Sequence, residues 1–136
     1  AAIHCGRKGL EKNIITNAIN NFEIMGSSRK DILVSIGPSI SEDNYLIDKK
    51  TFINFLTLNN GSLSKENEKI REINNLKDYE SVSLDIKKYA FLQLLIENLD
   101  PNNIDISNKC TYSLTNEFHS WRRSKNDQRQ WSVICS

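Results

Sequence analysis

In 136 residues the chain sets 18 Lys and Arg against 17 Asp and Glu, a net charge of +1. That balance removes the electrostatic basis for binding nucleic acid or an anionic membrane surface. With 38% apolar residues and no apolar run near the ~20 residues of a bilayer span, the expectation is one domain, residues 1–136, with many polar loops and no membrane partner. Cys5, Cys110 and Cys135 lack CxxC spacing and read as reduced thiols of a cytoplasmic protein. No charged stretch leads into an apolar one at the start, so no signal peptide is expected.

Ala1-Ala2-Ile3-His4 reads as a short buried strand. It delivers a histidine into the turn Cys5-Gly6-Arg7-Lys8-Gly9. Leu10, Ile14, Ile15, Ala18, Ile19, Phe22 and Met25 then recur at helical spacing, with Gly26 placed to close the helix. Ile32 to Ile36 is a compact apolar run stopped by Gly37-Pro38, which predicts a buried strand. A short extended piece is expected around Tyr45-Leu46-Ile47. Asp48 then caps a helix carrying Phe52, Ile53, Phe55 and Leu56.

Residues 59–80 are charged and Asn-rich, and read as a loop or a solvated helix over about 64–76. Asp85 caps a second strong helix bearing Ile86, Tyr89, Ala90, Leu94 and Leu95. Asp100-Pro101-Asn102-Asn103 is a turn, and Ile104 and Ile106 alternate as in a strand. Phe118 to Arg123 and Gln130 to Cys135 are read as two closing extended segments. Interleaved strands and helices predict a layered α/β domain. Open strand edges in such a sheet predict self-association.

Several residues carry chemistry. A histidine at a strand end before a glycine turn stands where α/β proteins place general bases and metal ligands. Position alone favours the plainer reading, a hydrogen-bonded structural histidine. Gly6-Arg7-Lys8-Gly9 offers backbone N–H groups and two cations to an anion, or is a plain strand-to-helix turn. Cys110 reads as a small apolar side chain, or as a nucleophilic thiolate if His4 or His119 lies beside it, which spacing along the chain does not decide. If residues 118–123 form a strand, Arg122 and Arg123 face opposite ways and one of them reaches inward to a phosphate or carboxylate. Gly37-Pro38 is a rigid turn whose backbone can line a pocket.

In this order the motifs resemble the C-terminal half of the laccase-domain family, the YfiH-type or multicopper polyphenol oxidase-like proteins. Members commonly carry an HxGWRG turn, an LGPxI turn followed by a Tyr-containing segment, an LD helix start and a CTY…F-x-S-x-RR ending. The counterparts here are His4 to Gly9, Ile36-Gly37-Pro38-Ser39-Ile40 with Tyr45, Leu84-Asp85, Cys110-Thr111-Tyr112, and Phe118 with Ser120, Arg122 and Arg123. Arg7 and Lys8 stand where the family usually has Trp and Arg.

The resemblance implies a mixed-sheet α/β sandwich of the YfiH-like type, here lacking its N-terminal part. It implies phosphorolysis of purine nucleosides (adenosine, inosine, methylthioadenosine) to free base and ribose 1-phosphate, with adenosine deamination also attributed. Copper-dependent phenol oxidation is the alternative, and a non-catalytic fragment that retains the fold is another. His4 matches one of three family ligands for zinc, or copper. The other two are expected upstream of Ala1. The resemblance also implies that His4 is catalytic and that Lys8, Gly37, Pro38, Tyr45, Arg122 and Arg123 bind nucleoside and phosphate.

Overall fold

The computed structural model describes residues 1–58 and 80–135. The loop or helix expected over 59–79 lies outside them. Helices α1 (Arg7–Glu11) and α2 (Ile14–Ile24) open the fold, followed by β1 (Val34–Ile36), β2 (Leu46–Asp48) and α3 (Lys49–Leu58). Then come β3 (Ser81–Ser83), α4 (Ile86–Ile96), β4 (Ile104–Ile106) and the one-turn α5 (Trp121–Ser124).

Among the described residues the strands make two pairs. β1 runs parallel to β4 in the register Val34↔Ile104, Ser35↔Asp105, Ile36↔Ile106. β2 runs antiparallel to β3, with Ile47 opposite Val82. The expected mixed α/β architecture is present, its parallel and antiparallel pairings lying in separate two-stranded sheets. The apolar positions read from the sequence converge in one cluster. Leu10, Ile15, Ile19, Phe52, Phe55, Leu56, Leu84, Tyr89 and Leu94 are all buried there, which accounts for most of the driving force for folding.

Capping chemistry sets the element ends. The Asp48 carboxylate accepts the Thr51 N–H at 2.8 Å, and Asp85 accepts that of Lys88 at 3.0 Å. Each satisfies an N–H that the first helical turn leaves without a partner. Asp100 accepts the Asn102 N–H at 2.9 Å, closing the turn into β4. Gly26 takes φ +92° at the end of α2. Beyond it the Ser27 N–H reaches back to the Phe22 carbonyl at 2.9 Å, as a glycine C-terminal cap allows.

Four expectations are corrected. The single helix from Leu10 to Met25 is two helices. Asn13 sits between them in the left-handed region (φ 55°, ψ 41°), which a short polar side chain tolerates. The break lets Leu10 and Ile15 both point into the core, while Met25 is left exposed. Residues 1–4 are exposed and form no strand, since a strand needs a paired neighbour and none of the described residues supplies one. Trp121–Ser124 is helical rather than extended. Arg122 and Arg123 are therefore one helical step apart, not on opposite strand faces. Residues 130–135 are exposed and form no strand with any of the described residues.

Three side chains fasten the N-terminal helices to α4 and its end. Gln93, buried in α4, donates to the Leu10 carbonyl at 3.1 Å. Arg29 donates to Glu23 at 2.9 Å and to the Glu97 carboxylate and carbonyl at 2.9 and 2.7 Å. Thr16 donates to the same Glu97 carboxylate at 2.6 Å. The Gln93 bond holds α1, and so the histidine turn ahead of it, against α4; the others hold α2 and the turn after it.

Candidate functional site

Three segments carry the expected site residues. The first is the turn before α1. Gly6 is the extended N-cap of that helix (φ −83°, ψ 174°). A Cβ at Gly6 would lie 3.1 Å from Nε2 of His4. The imidazole therefore folds back over the glycine, and the missing side chain makes its seat. Gly9 is close to α2 in the same way, its notional Cβ standing 3.3 Å from Cγ2 of Ile14. His4 and Lys8 are exposed. Arg7 donates instead to Glu11, one turn along. Burial pushes the Cys5 thiol up to about 11, so it stays protonated at neutral pH.

The second segment is the loop from Gly37 to Tyr45, and the third is the stretch from Cys110 to Arg123. The structure brings these two together. Beyond the β1–β4 pair, Ser39 and Cys110 continue the parallel pairing as a bridge, and the Thr111 N–H donates to the Ser39 carbonyl at 3.0 Å. Gly37 and Pro38, both exposed, stand where the two chains leave the sheet.

The arginines divide their work. The Arg122 guanidinium lies 5.2 Å from the Tyr45 ring centre and donates to the Leu46 carbonyl, a stacked cation on an aromatic face. Arg123 donates through Nη1 to the carbonyls of Thr111 (2.9 Å) and Tyr112 (2.6 Å), and through Nη2 to that of Phe118 (2.7 Å). Its planar fork thus clips the loop before α5 into shape. Nε–H and one Nη2–H are not used in these bonds.

β2 joins the N-terminal and C-terminal parts. At one end Leu46 accepts from Arg122. At the other, the Asp48 carboxyl is held below its usual range, chiefly by hydrogen bonds from Thr51, with the Arg7 charge adding to them. Among the described residues, no hydrogen bond or ion pair joins His4 or Lys8 to the Tyr45–Arg122 cluster.

Sequence reading missed the surroundings of Cys110. Its sulfur accepts from the Ser41 N–H at 3.3 Å, from Nδ2 of Asn44 at 3.7 Å and from the Ser113 hydroxyl at 3.6 Å. Partial burial pushes the thiol up, but the hydrogen bonds from Ser41 and Ser113 outweigh it and bring it down to about 6. No histidine takes part. Only Ser113 is near in sequence, so no local signal could reveal the arrangement. At pH 7, in a Cys135→Ala background, iodoacetamide is expected to label Cys110 and leave Cys5 unmodified. The Cys110 rate should rise with pH to half its plateau near pH 6. Peptide mass spectrometry checks this; a midpoint above pH 8 would contradict the donor set.

His4 is a single imidazole, and among the described residues no group of three or more His, Cys, Asp or Glu converges to hold a metal. Zinc takes three or four protein ligands. The described residues by themselves therefore do not fit zinc or copper, and no step below passes through a metal. Among the same residues no helix is long and apolar enough to cross a membrane.

A histidine turn before a short helix, a Gly-Pro turn at the end of a parallel β-pair, and a paired arginine on a C-terminal helix define a mixed α/β domain of one kind. The family model for the multi-copper polyphenol oxidoreductase laccase matches residues 1–136, and the chain belongs to that family. It is 28% identical over 151 aligned positions to a protein of Synechocystis sp. named purine nucleoside phosphorylase, covering 100% of this chain and 55% of the relative. Its fold matches the YfiH protein of Bacillus licheniformis (TM-score 0.69, 24% identity, 88% of this chain and 43% of the other). It matches YlmD of Geobacillus stearothermophilus equally well (TM-score 0.70, 23% identity, 88% and 42%). The chain thus spans about half the length of the curated relative.

Proposed function

We propose that this chain is part of a purine nucleoside phosphorylase, acting together with polypeptide equivalent to the rest of its relatives. One observation carries the reading: the relative named for that activity aligns with the whole of this chain. The local chemistry supports it. In phosphorolysis a phosphate oxygen forms a bond to C1′ of the ribose while the C1′–N9 bond breaks. The electron pair of that bond passes to the purine, which needs a proton on its ring. His4, exposed on a glycine seat, is the group assigned to supply that proton.

Lys8 and Arg122 are the cations assigned to phosphate, with Arg123 adding its remaining N–H groups while holding the loop. The Tyr45 ring and the Gly37-Pro38 turn offer a flat surface and a rigid edge to the base. Adenosine, inosine and methylthioadenosine are the proposed substrates, and adenosine deamination is a proposed side activity. Zinc, or copper, would need ligands beyond His4, from the polypeptide not included in this chain. The three free cysteines support a reducing, cytoplasmic setting.

The test is to incubate the complete protein with inosine, with and without phosphate, and follow hypoxanthine. Release is expected to require phosphate. Arg122→Ala should raise the KM for phosphate by about tenfold or more, as loss of one charge-assisted contact does. Phosphate-independent release, or oxidation of phenols without any nucleoside cleavage, would overturn the assignment.

A further inference from the structure

The helix that carries the arginine pair cannot hold its own position. α5 is a single turn, Trp121–Ser124, far below the ~12–15 residues at which a helix persists alone. It closes on two bonds, from the Ser124 N–H to the Ser120 carbonyl at 3.0 Å and from the Lys125 N–H to that of Trp121 at 2.7 Å. Lys125 then turns into the left-handed region (φ 49°). The turn lies at the surface: Trp121 is 54% exposed, Arg122 and Ser124 are exposed, and Arg123 is half-buried. Among the described residues its anchor is polar.

Arg123 supplies that anchor. Residues 110–118 fold as two consecutive turns, the Leu114 N–H donating to the Cys110 carbonyl at 3.1 Å and the Phe118 N–H to the Leu114 carbonyl at 3.0 Å. The first end of this loop is fastened beyond the β1–β4 pair, where Thr111 donates to Ser39 beside the Ser39–Cys110 bridge. The last end, Phe118, leads into Ser120, the buried N-cap of α5. Nη1 of Arg123 holds the carbonyls of Thr111 and Tyr112, and Nη2 holds that of Phe118. One guanidinium thus pins the far end of the loop to the fastened one. Bonds from a charged donor are roughly twice as strong as neutral ones, and the planar fork sets both angle and distance. Arg122 rides on the same turn, with its guanidinium 5.2 Å from the Tyr45 ring centre.

We propose, resting on the phosphorylase reading above, that Arg123 is a positioning residue for the phosphate site: by closing the 110–118 loop it fixes α5 and so aims Arg122 along the Tyr45 face. Most of what Arg123 contributes to phosphate binding then passes through Arg122. Only a small part passes through its own Nε–H and remaining Nη2–H. Charge at position 123 does not suffice, because three carbonyls are held by two nitrogens of one rigid plane. A lysine there keeps the charge and replaces the fork with a point donor.

The experiment is a double-mutant cycle on the complete protein, read by the KM for phosphate in inosine cleavage. Arg123→Ala alone should raise that KM about tenfold, as Arg122→Ala does. Its kcat at saturating phosphate should stay within about threefold of the parent. In the Arg122→Ala background the same change should raise the KM by less than about threefold. Arg123→Lys should resemble Arg123→Ala. A second measurement needs no turnover. The δ-CH2 proton signals of Arg122, assigned by their loss in Arg122→Ala, should carry an upfield ring-current shift from Tyr45 that both Arg123 variants abolish. If inosine cleavage by the parent does not depend on phosphate, the phosphorylase reading falls and these signals alone decide the positioning role. Effects that multiply across the cycle, a parent-like phosphate KM in Arg123→Lys, or ring-current shifts that survive in both Arg123 variants would each overturn the proposal.

Discussion

Phe55→Ala is expected to destabilise the described fold by about 3–5 kcal/mol, the range for removing a fully buried phenyl ring. Phe55 lies in α3 with no accessible surface. Its ring meets Tyr89 of α4 edge to face, with centroids 4.8 Å apart and planes at 86°. That geometry sets the positive rim of one ring against the negative face of the other and adds roughly 0.5–1.5 kcal/mol to the area term. Because domains of this size are stable by only ~5–15 kcal/mol, the variant should unfold at far lower urea than the parent. Urea titration followed by circular dichroism measures it. A loss below about 1 kcal/mol would mean that the α3–α4 contact is not part of the core.

His4→Ala should do the opposite: little to stability and much to activity. The imidazole is exposed and its removal opens no cavity. The melting temperature should stay within a degree or two of the parent. If His4 supplies the proton to the departing purine, kcat/KM for inosine in the complete protein should fall by about 10²–10⁴-fold, the usual weight of a positioned acid. Tyr45→Ala, which removes the ring against which Arg122 stacks, serves as a comparison. It should act mainly through KM, because it removes binding rather than proton transfer. An activity within tenfold of the parent in His4→Ala would remove the histidine from the chemistry and leave it a structural residue of the turn.

How far the fold was legible varies by element. Helices with strong apolar periodicity and a side-chain cap were readable, as with Asp85 and the face of Ile86, Tyr89, Ala90 and Leu94. The caps worked because they are local, made within three residues along the chain. The strands at Val34, Leu46 and Ile104 were also legible, since each pairs with another part of this same chain. The two segments read as strands that are not, at residues 1–4 and 130–135, share one cause. Alternation or apolarity in a segment expresses a demand for a partner ladder, and none of the described residues meets it.

The candidate site was legible in its residue types but not in its connections. Glycine at position 6 could be anticipated in a turn, but not that it seats the His4 ring. The arginine pair was visible, but the division between Arg122 on Tyr45 and Arg123 on three carbonyls was not. Reading residues 118–123 as extended even placed the two on opposite faces. Cys110 was read as apolar because that is the usual state of a lone cysteine, whereas its sulfur has donors that come mostly from the loop around Ser41 and Asn44.

The amino-acid order alone determined the helix faces, the caps, the two stops at Gly26 and Gly37-Pro38 and the motifs that carry family membership. All of these rest on forces acting within a few residues: side-chain periodicity, backbone stereochemistry and the pairing of a carboxylate with a nearby N–H. Tertiary structure decided the ionisation of Cys110, the tethering of Arg123 and the contact of Arg122 with β2, 76 residues away. Those depend on which distant groups share a small volume, and chain spacing carries no measure of that.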